Sequence, residues 1–217
     1  ELAHLRLAII DLNVESQQPF FSNCENYVIV FNGEIFNYLE LKKELEKNDI
    51  RCVSETDTEV IVNTIELNYL IEKDVEKAIE KTLSQLEGTW GLAILSKFDM
   101  DTLYCTRQGS PLLVSVNNNI GLVASEQSAF CNKTNNYIVL NNHDICKLKM
   151  VNGQVEMTTR EIYTELQIKN KVINYNHFAD KTNENKYNVE YSLKKLDIKL
   201  LPKYLELNKE KYNKWFD

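Results

Sequence analysis

No run of apolar residues in this 217-residue sequence approaches the roughly 20 that a membrane-spanning helix requires. Positive charge is in deficit. With 25 Lys and Arg against 32 Asp and Glu, the net charge is -7, which argues against a nucleic-acid role built on a basic surface. The opening residues lack the basic and apolar regions of a signal peptide. Cysteines are few and scattered, at 24, 52, 105, 131 and 146, odd in number and without metal-ligand spacing. Reduced, mostly buried thiols in a cytoplasmic protein are therefore expected, with no metal site. The three histidines, His4, His143 and His177, suggest no Cys/His pair. No phosphate-binding loop is visible either, so no cofactor is expected. What is present, 43% hydrophobic and 26% charged residues, is the make-up of a globular chain long enough to bury one full core.

Tyr27 to Phe31 (YVIVF) is a short β-branched and aromatic run, read as a buried strand that Asn32-Gly33 breaks. Asn37 to Glu40 has the form of a capping box, and Leu41 and Leu45 continue a helical face to about Lys47. Thr56-Asp57-Thr58-Glu59 is a second capping box, opening a helix through Val60, Ile61, Thr64 and Ile65. A third helix is expected from Val75 to Leu86, ended by Gly88. From Trp90 the period changes to short strands at 91–95, 102–106, 112–116 and 120–124, separated by turn residues and read as an antiparallel meander. Two more strands, 137–140 and 144–149, lead to a turn at Asn152-Gly153 and a partner strand. This order predicts an α+β domain with two antiparallel sheets. Glycine disappears after Gly153, and residues 166–186 read as a polar linker before a Leu, Tyr and Trp-bearing helical tail at 187–216.

Arg6, Asn32 and Asp57, separated by 26 and then 25 residues, bring together three groups suited to a free amino acid. Arg6 offers a fork for an α-carboxylate. Asp57 offers a partner for an α-ammonium. Asn32 and the N–H of Gly33 offer donors to a side-chain carbonyl where negative charge develops. Each has a plainer reading. Asn-Gly is a common turn, an acid in a first helical turn complements the helix dipole, and Arg6 can be a surface charge.

In combination, HLRLAIIDL, QP at 18–19, VFNGEIFNYLELKKEL and SETDTEV resemble the glutaminase domain of class II glutamine amidotransferases, the N-terminal-nucleophile hydrolase type. The resemblance covers about residues 2–165 and divides between two subfamilies. HLRLAIIDL, QQP and FNGEIFNY are similar to asparagine synthetase. SETDTEV, QLEGTWGLAI, TRQGSPLLVSV and LVASEQSAF are similar to glutamine–fructose-6-phosphate aminotransferase (isomerizing), which is the expected one of the two. The resemblance implies a four-layer αββα sandwich over residues 1–165, incomplete at the N-terminus, followed by the linker and tail at 166–217. It implies that Arg6 holds the glutamine carboxylate, that Leu7 and Ile9 line the pocket, that Asn32 and Gly33 form the oxyanion hole, and that Glu34 and Asp57 stand near the α-amino group. L-glutamine is the implied ligand. A synthase or isomerase half, on another domain or subunit, is the implied partner, and neither nucleic acid nor membrane is.

Two departures bear on activity. The aminotransferase arginine segment reads closer to TRWATHG, and here Leu7 stands in place of its tryptophan. The family nucleophile is an N-terminal cysteine whose own α-amine is the base, and no cysteine precedes Arg6 here. Cys24 and Cys52 lack a free α-amine. The chain as given, opening on Glu1, is thus expected to be a fragment without glutaminase turnover. The reading set against an enzyme is a non-catalytic remnant that binds an amino acid or a partner subunit.

Overall fold

A computed structural model describes residue 2 and residues 17–162 except 118, 132 and 135. These lie in the first of the two units into which the chain divides, residues 1–162 and 163–217. The expected linker at 166–186 and tail at 187–216 fall outside the described residues.

The chain enters as β1 (Phe20–Phe21) and β2 (Tyr27–Ile35), followed by α1 (Tyr38–Lys47), α2 (Asp57–Glu72) and α3 (Val75–Gln85). Strands β3 (Gly88–Ser96), β4 (Asp99–Gln108), β5 (Leu113–Asn117) and β6 (Ile120–Ala124) come next. A 3₁₀ turn at Gln127–Phe130 leads to β7 (Ile138–Val139), β8 (Asp144–Val151) and β9 (Gln154–Glu161). Six strands form one sheet in the order β1-β2-β3-β4-β8-β9, and three form a second in the order β6-β5-β7. Every pairing is antiparallel.

The two-residue period of the strands decides which side chains meet. On one face of the large sheet, Ile29 and Phe31 of β2, Leu92 and Ile94 of β3 and Tyr104 of β4 pack against Ile61, Val62 and Ile65 of α2 and Ile79 of α3. On the other face, Ala93, Cys105, Cys146 and Leu148 pack against Leu112, Val114 and Leu140 of the small-sheet side. Fully buried aliphatic side chains such as Ile61, Ile65 and Leu92 each contribute about 1.5–3 kcal/mol. The result is the expected α+β sandwich of two antiparallel sheets with helices outside it. Three layers of the αββα order are seen among the described residues.

Four expectations are corrected. Asn32-Gly33 does not break β2, which continues to Ile35 with Asn32 opposite Gly91 and Gly33 opposite Trp90. The backbones approach so closely there that a Cβ on Gly33 would lie 2.1 Å from the Thr89 carbonyl oxygen. The capping box at Asn37 does not form. Its side chain instead donates to the Gln85 carbonyl at 2.8 Å and accepts from the Glu87 N–H at 3.0 Å, pinning the start of α1 to the end of α3. Gly88 does not end the third helix, which stops at Gln85; it opens β3, at φ +148. Finally, the run from Trp90 to Ala124 is no single meander. The chain changes sheets at Gly109-Ser110-Pro111, where Gly109 takes φ +72, and β4 receives β8 as its other neighbour. Asn152-Gly153 does form the expected two-residue hairpin turn, at φ +51 and +79, between β8 and β9.

Candidate functional site

Arg6, Leu7 and Ile9 lie outside the described residues. The structure brings the other four expected residues together at the end of β2. Asn32, Gly33 and Glu34 are consecutive and exposed, between buried Phe31 and Ile35. Asp57 is the first residue of α2, and its Oδ2 accepts the backbone N–H of Ile35 at 3.0 Å. Burial pushes the Asp57 carboxyl up from its ordinary 3.8, the N–H groups of Ile35 and Thr58 oppose that, and the nearby charge of Glu34 adds to it. Two acids that feel each other at a half-open position suit a cation such as an ammonium group.

The main chain of β2 supplies the neutral donors. Successive residues of a strand turn their N–H and C=O to alternate edges. Phe31, Gly33 and Ile35 therefore face the edge away from β3. The N–H of Phe31 is taken by Gln18 Oε1 at 2.6 Å and that of Ile35 by Asp57 Oδ2 at 3.0 Å. Between them, nothing among the described residues takes the N–H of Gly33. Beside it, the exposed Asn32 faces Gly91 across the ladder. A backbone donor and a side-chain amide that no other described residue engages, side by side, are the kind of groups a developing oxyanion needs.

The loop before Asp57 is fixed by a residue the sequence reading took only as half of a capping box. Glu59 is fully buried, and its carboxylate accepts the N–H of Val53 at 2.8 Å, the N–H of Ser54 at 2.6 Å and the Ser54 hydroxyl at 2.6 Å. Thr56 caps α2 as expected, accepting the Glu59 N–H at 3.4 Å, but the Glu59 side chain does not return to Thr56. Gln18 was also missed as a site neighbour. Its signal was the QP step, which carries no hint of what the side chain reaches.

The thiols are not mostly buried as expected: Cys105 and Cys146 are, Cys52 is partly, and Cys24 and Cys131 are exposed. Cys24 sits at the far end of β2 from Asn32, and the charge of Glu66, followed by burial, pushes its thiol up. Burial holds the Cys52 thiol up at about 11. Neither is activated as a nucleophile. His143 is described, at φ +67, and its main chain donates to the Arg107 carbonyl and accepts from the Ile162 N–H; His4 and His177 are outside the described residues. Among the described residues no group of three His, Cys, Asp or Glu is placed to hold a metal. Nor is any helix among them long and apolar enough to cross a membrane. An open cleft of about 400 Å³ lies at the other end of α2, walled by Tyr69, Phe98 and Lys147, and contains none of the expected site residues.

The pattern of the family described as "Glutamine amidotransferase domain" matches residues 1–188. Among curated proteins, the chain is 35% identical over 150 residues to the glutamine–fructose-6-phosphate aminotransferase [isomerizing] of Oceanobacillus iheyensis, covering 66% of this chain and 25% of that protein. It is 34% identical over 159 residues to the same enzyme of Staphylococcus epidermidis, covering 70% and 26%. This chain thus spans about a quarter of the length of these relatives. Among solved structures, the fold is similar to glutamine phosphoribosylpyrophosphate amidotransferase of B. subtilis, with TM-score 0.61 and 22% identity over 74% of this chain and 34% of that one.

Proposed function

Because this chain belongs to the family of class II glutamine amidotransferase domains, we propose that it binds L-glutamine and releases its side-chain amide as ammonia. In this reading Arg6 pairs with the α-carboxylate, Asp57 and Glu34 hold the α-ammonium, and Leu7 and Ile9 line the pocket. Asn32 and the N–H of Gly33 receive the carbonyl oxygen of the amide. The α-amine of an N-terminal cysteine takes the thiol proton as the sulfur adds to the carbonyl carbon and the oxygen takes the negative charge; the amine then passes that proton to the amide nitrogen, and ammonia leaves as the carbonyl re-forms in a thioester. Water then cleaves the thioester to glutamate and thiol. The donors matter most at the charged stage, when they shorten and strengthen.

The observation that carries the reading is the N–H of Gly33, uncommitted among the described residues, between two committed neighbours on one edge of β2. The similarity to glutamine–fructose-6-phosphate aminotransferases over residues of this domain supports amino-sugar synthesis, with glucosamine 6-phosphate as product, over asparagine synthesis. The ammonia then passes to a synthase or isomerase domain or subunit beyond the residues of this chain, in the cytoplasm, with no metal or other cofactor in the glutaminase step. Residues 166–217 serve as a linker and tail after a domain of residues 1–165.

A coupled ammonia assay tests this on the chain joined to an upstream segment that opens on a free N-terminal cysteine. Ammonia release from L-glutamine is expected, and Asn32→Ala should lower kcat on the order of 100-fold, as loss of one oxyanion donor does. Equal turnover in both proteins would remove Asn32 from the reaction. Binding of L-glutamine that survives both Arg6→Ala and Asp57→Ala would place the ligand elsewhere.

A further inference from the structure

We infer that Gln18 is a positioning residue that sets the two arms of the glutamine site, the Asn32–Gly33 donors and the Asp57 carboxylate, against each other. The inference rests on the function proposed above. In the β1–β2 ladder Phe21 faces Val28 and Phe20 faces Ile29. Each step back along β1 is one step forward along β2, so position 18 falls opposite Phe31. Pro19 intervenes, and β1 begins only at Phe20. The rung at Phe31 is nevertheless made, by a side chain. Gln18 Oε1 accepts the Phe31 N–H at 2.6 Å, and Gln18 Nε2 donates to the Phe31 carbonyl at 3.0 Å.

A carboxamide has the donor and acceptor of a peptide group, so it can stand in for one on a strand edge. The same Nε2 reaches Thr58 Oγ1 at 3.4 Å. Phe31 directly precedes Asn32, and Thr58 directly follows Asp57. One half-buried amide therefore grips both arms, each one residue from a group assigned to the ligand. Because the rung ends at Phe31, the next N–H on that edge, Gly33, is left open among the described residues. Gln18 thus also sets where the occupied edge stops.

The test uses the 217-residue chain and two variants, Gln18→Met, which keeps length and removes all three hydrogen bonds, and Gln18→Glu, which keeps an acceptor for Phe31 and loses the donor. Amide hydrogen exchange at Phe31 and Ile35, whose N–H groups are held by Gln18 and Asp57, and calorimetric L-glutamine affinity are read at a temperature where both are folded, with Asp57→Asn as the benchmark. Gln18→Met should speed exchange at Phe31 and Ile35 about tenfold, the worth of one net hydrogen bond at each, and leave the β4–β8 ladder unchanged. It should weaken L-glutamine about tenfold through misplacement alone. If it does not fold, Gln18→Glu carries the same measurement, with faster exchange at Ile35 and weaker binding expected. Faster exchange at Phe31 with Ile35 and affinity unchanged would make Gln18 a brace only and overturn the inference. Affinity lost in Asp57→Asn and kept in Gln18→Met would do the same while leaving the proposed function standing. No L-glutamine binding by the parent chain would overturn the function, and the exchange at Ile35 would then decide the role of Gln18 by itself.

Discussion

The carboxylate of Asp57 and the backbone N–H of Ile35 meet at 3.0 Å, joining the first turn of α2 to the last residue of β2. The contact gives Asp57 a structural duty alongside any ligand it holds, and the two can be separated by substitution.

Asp57→Asn keeps an acceptor for Ile35 and loses the charge; Asp57→Ala loses both. Both should abolish weak L-glutamine binding in calorimetry. Only Asp57→Ala should also lower stability in urea unfolding, by about 1–2 kcal/mol for an unsatisfied N–H. Equal stability losses in the two variants would contradict this division.

Acid titration should show two carboxylates working in opposite senses. The Asp57 carboxyl is raised above 3.8, chiefly by burial, so the folded state holds its proton more tightly than the unfolded one. Its contribution to stability therefore falls as pH rises from that region. Glu76 is lowered below 4.5: burial opposes this, but Lys147 Nζ at 2.7 Å and Arg160 Nε at 2.7 Å outweigh it. Its contribution is present above 4.5 and is lost as pH falls through the depressed value. Stability measured against pH should become steeper on the acid side in Asp57→Asn and shallower in Glu76→Gln.

Glu59 answers three donors from Val53 and Ser54 with no exposure to solvent. Glu59→Ala strands them and should cost about 3 kcal/mol in chemical unfolding. Glu59→Gln, which keeps one acceptor oxygen, should cost less. A neutral result for Glu59→Ala would mean the 53–56 loop finds other partners.

Two glycines offer a paired comparison by thermal unfolding. Gly33→Ala places a Cβ 2.1 Å from a backbone oxygen and should cost about 3 kcal/mol, at the upper end for overpacking. At Gly153, φ is +79 and nothing lies within 4 Å of the added atom, so Gly153→Ala should cost only about 1 kcal/mol of backbone strain. Reversal of that order would show that β2 and β3 can part at no great cost.

Much of the fold was legible because its signals are local. Thr56 before Asp57 announces a helix start, Asn152-Gly153 announces a hairpin, and the short apolar run at 91–95 announces a strand. The misreadings came from residues whose local habit is overruled by a distant partner. Asn32-Gly33 is a turn dipeptide by habit and a strand segment here because Gly91 and Thr89 lie alongside. Asn37 caps by habit but is claimed by Gln85 and Glu87, some fifty residues on. At the site, the charges and the Asn-Gly pair could be picked out by type. The parts played by Gln18 and Glu59 could not, because a glutamine or a buried acid has no sequence signature for the backbone groups it answers.

The edge of β2 beyond β1 has a consequence for solubility. A sheet edge with free N–H and C=O groups invites addition of a strand from another molecule. Here Gln18 and Asp57 close the positions on either side of Gly33, so among the described residues the remaining gap is one residue wide. A foreign strand would need consecutive rungs and finds a single one. A lone oxygen needs only that one. The same two side chains that leave a donor for a small molecule therefore guard this edge of the sheet against a strand from another molecule.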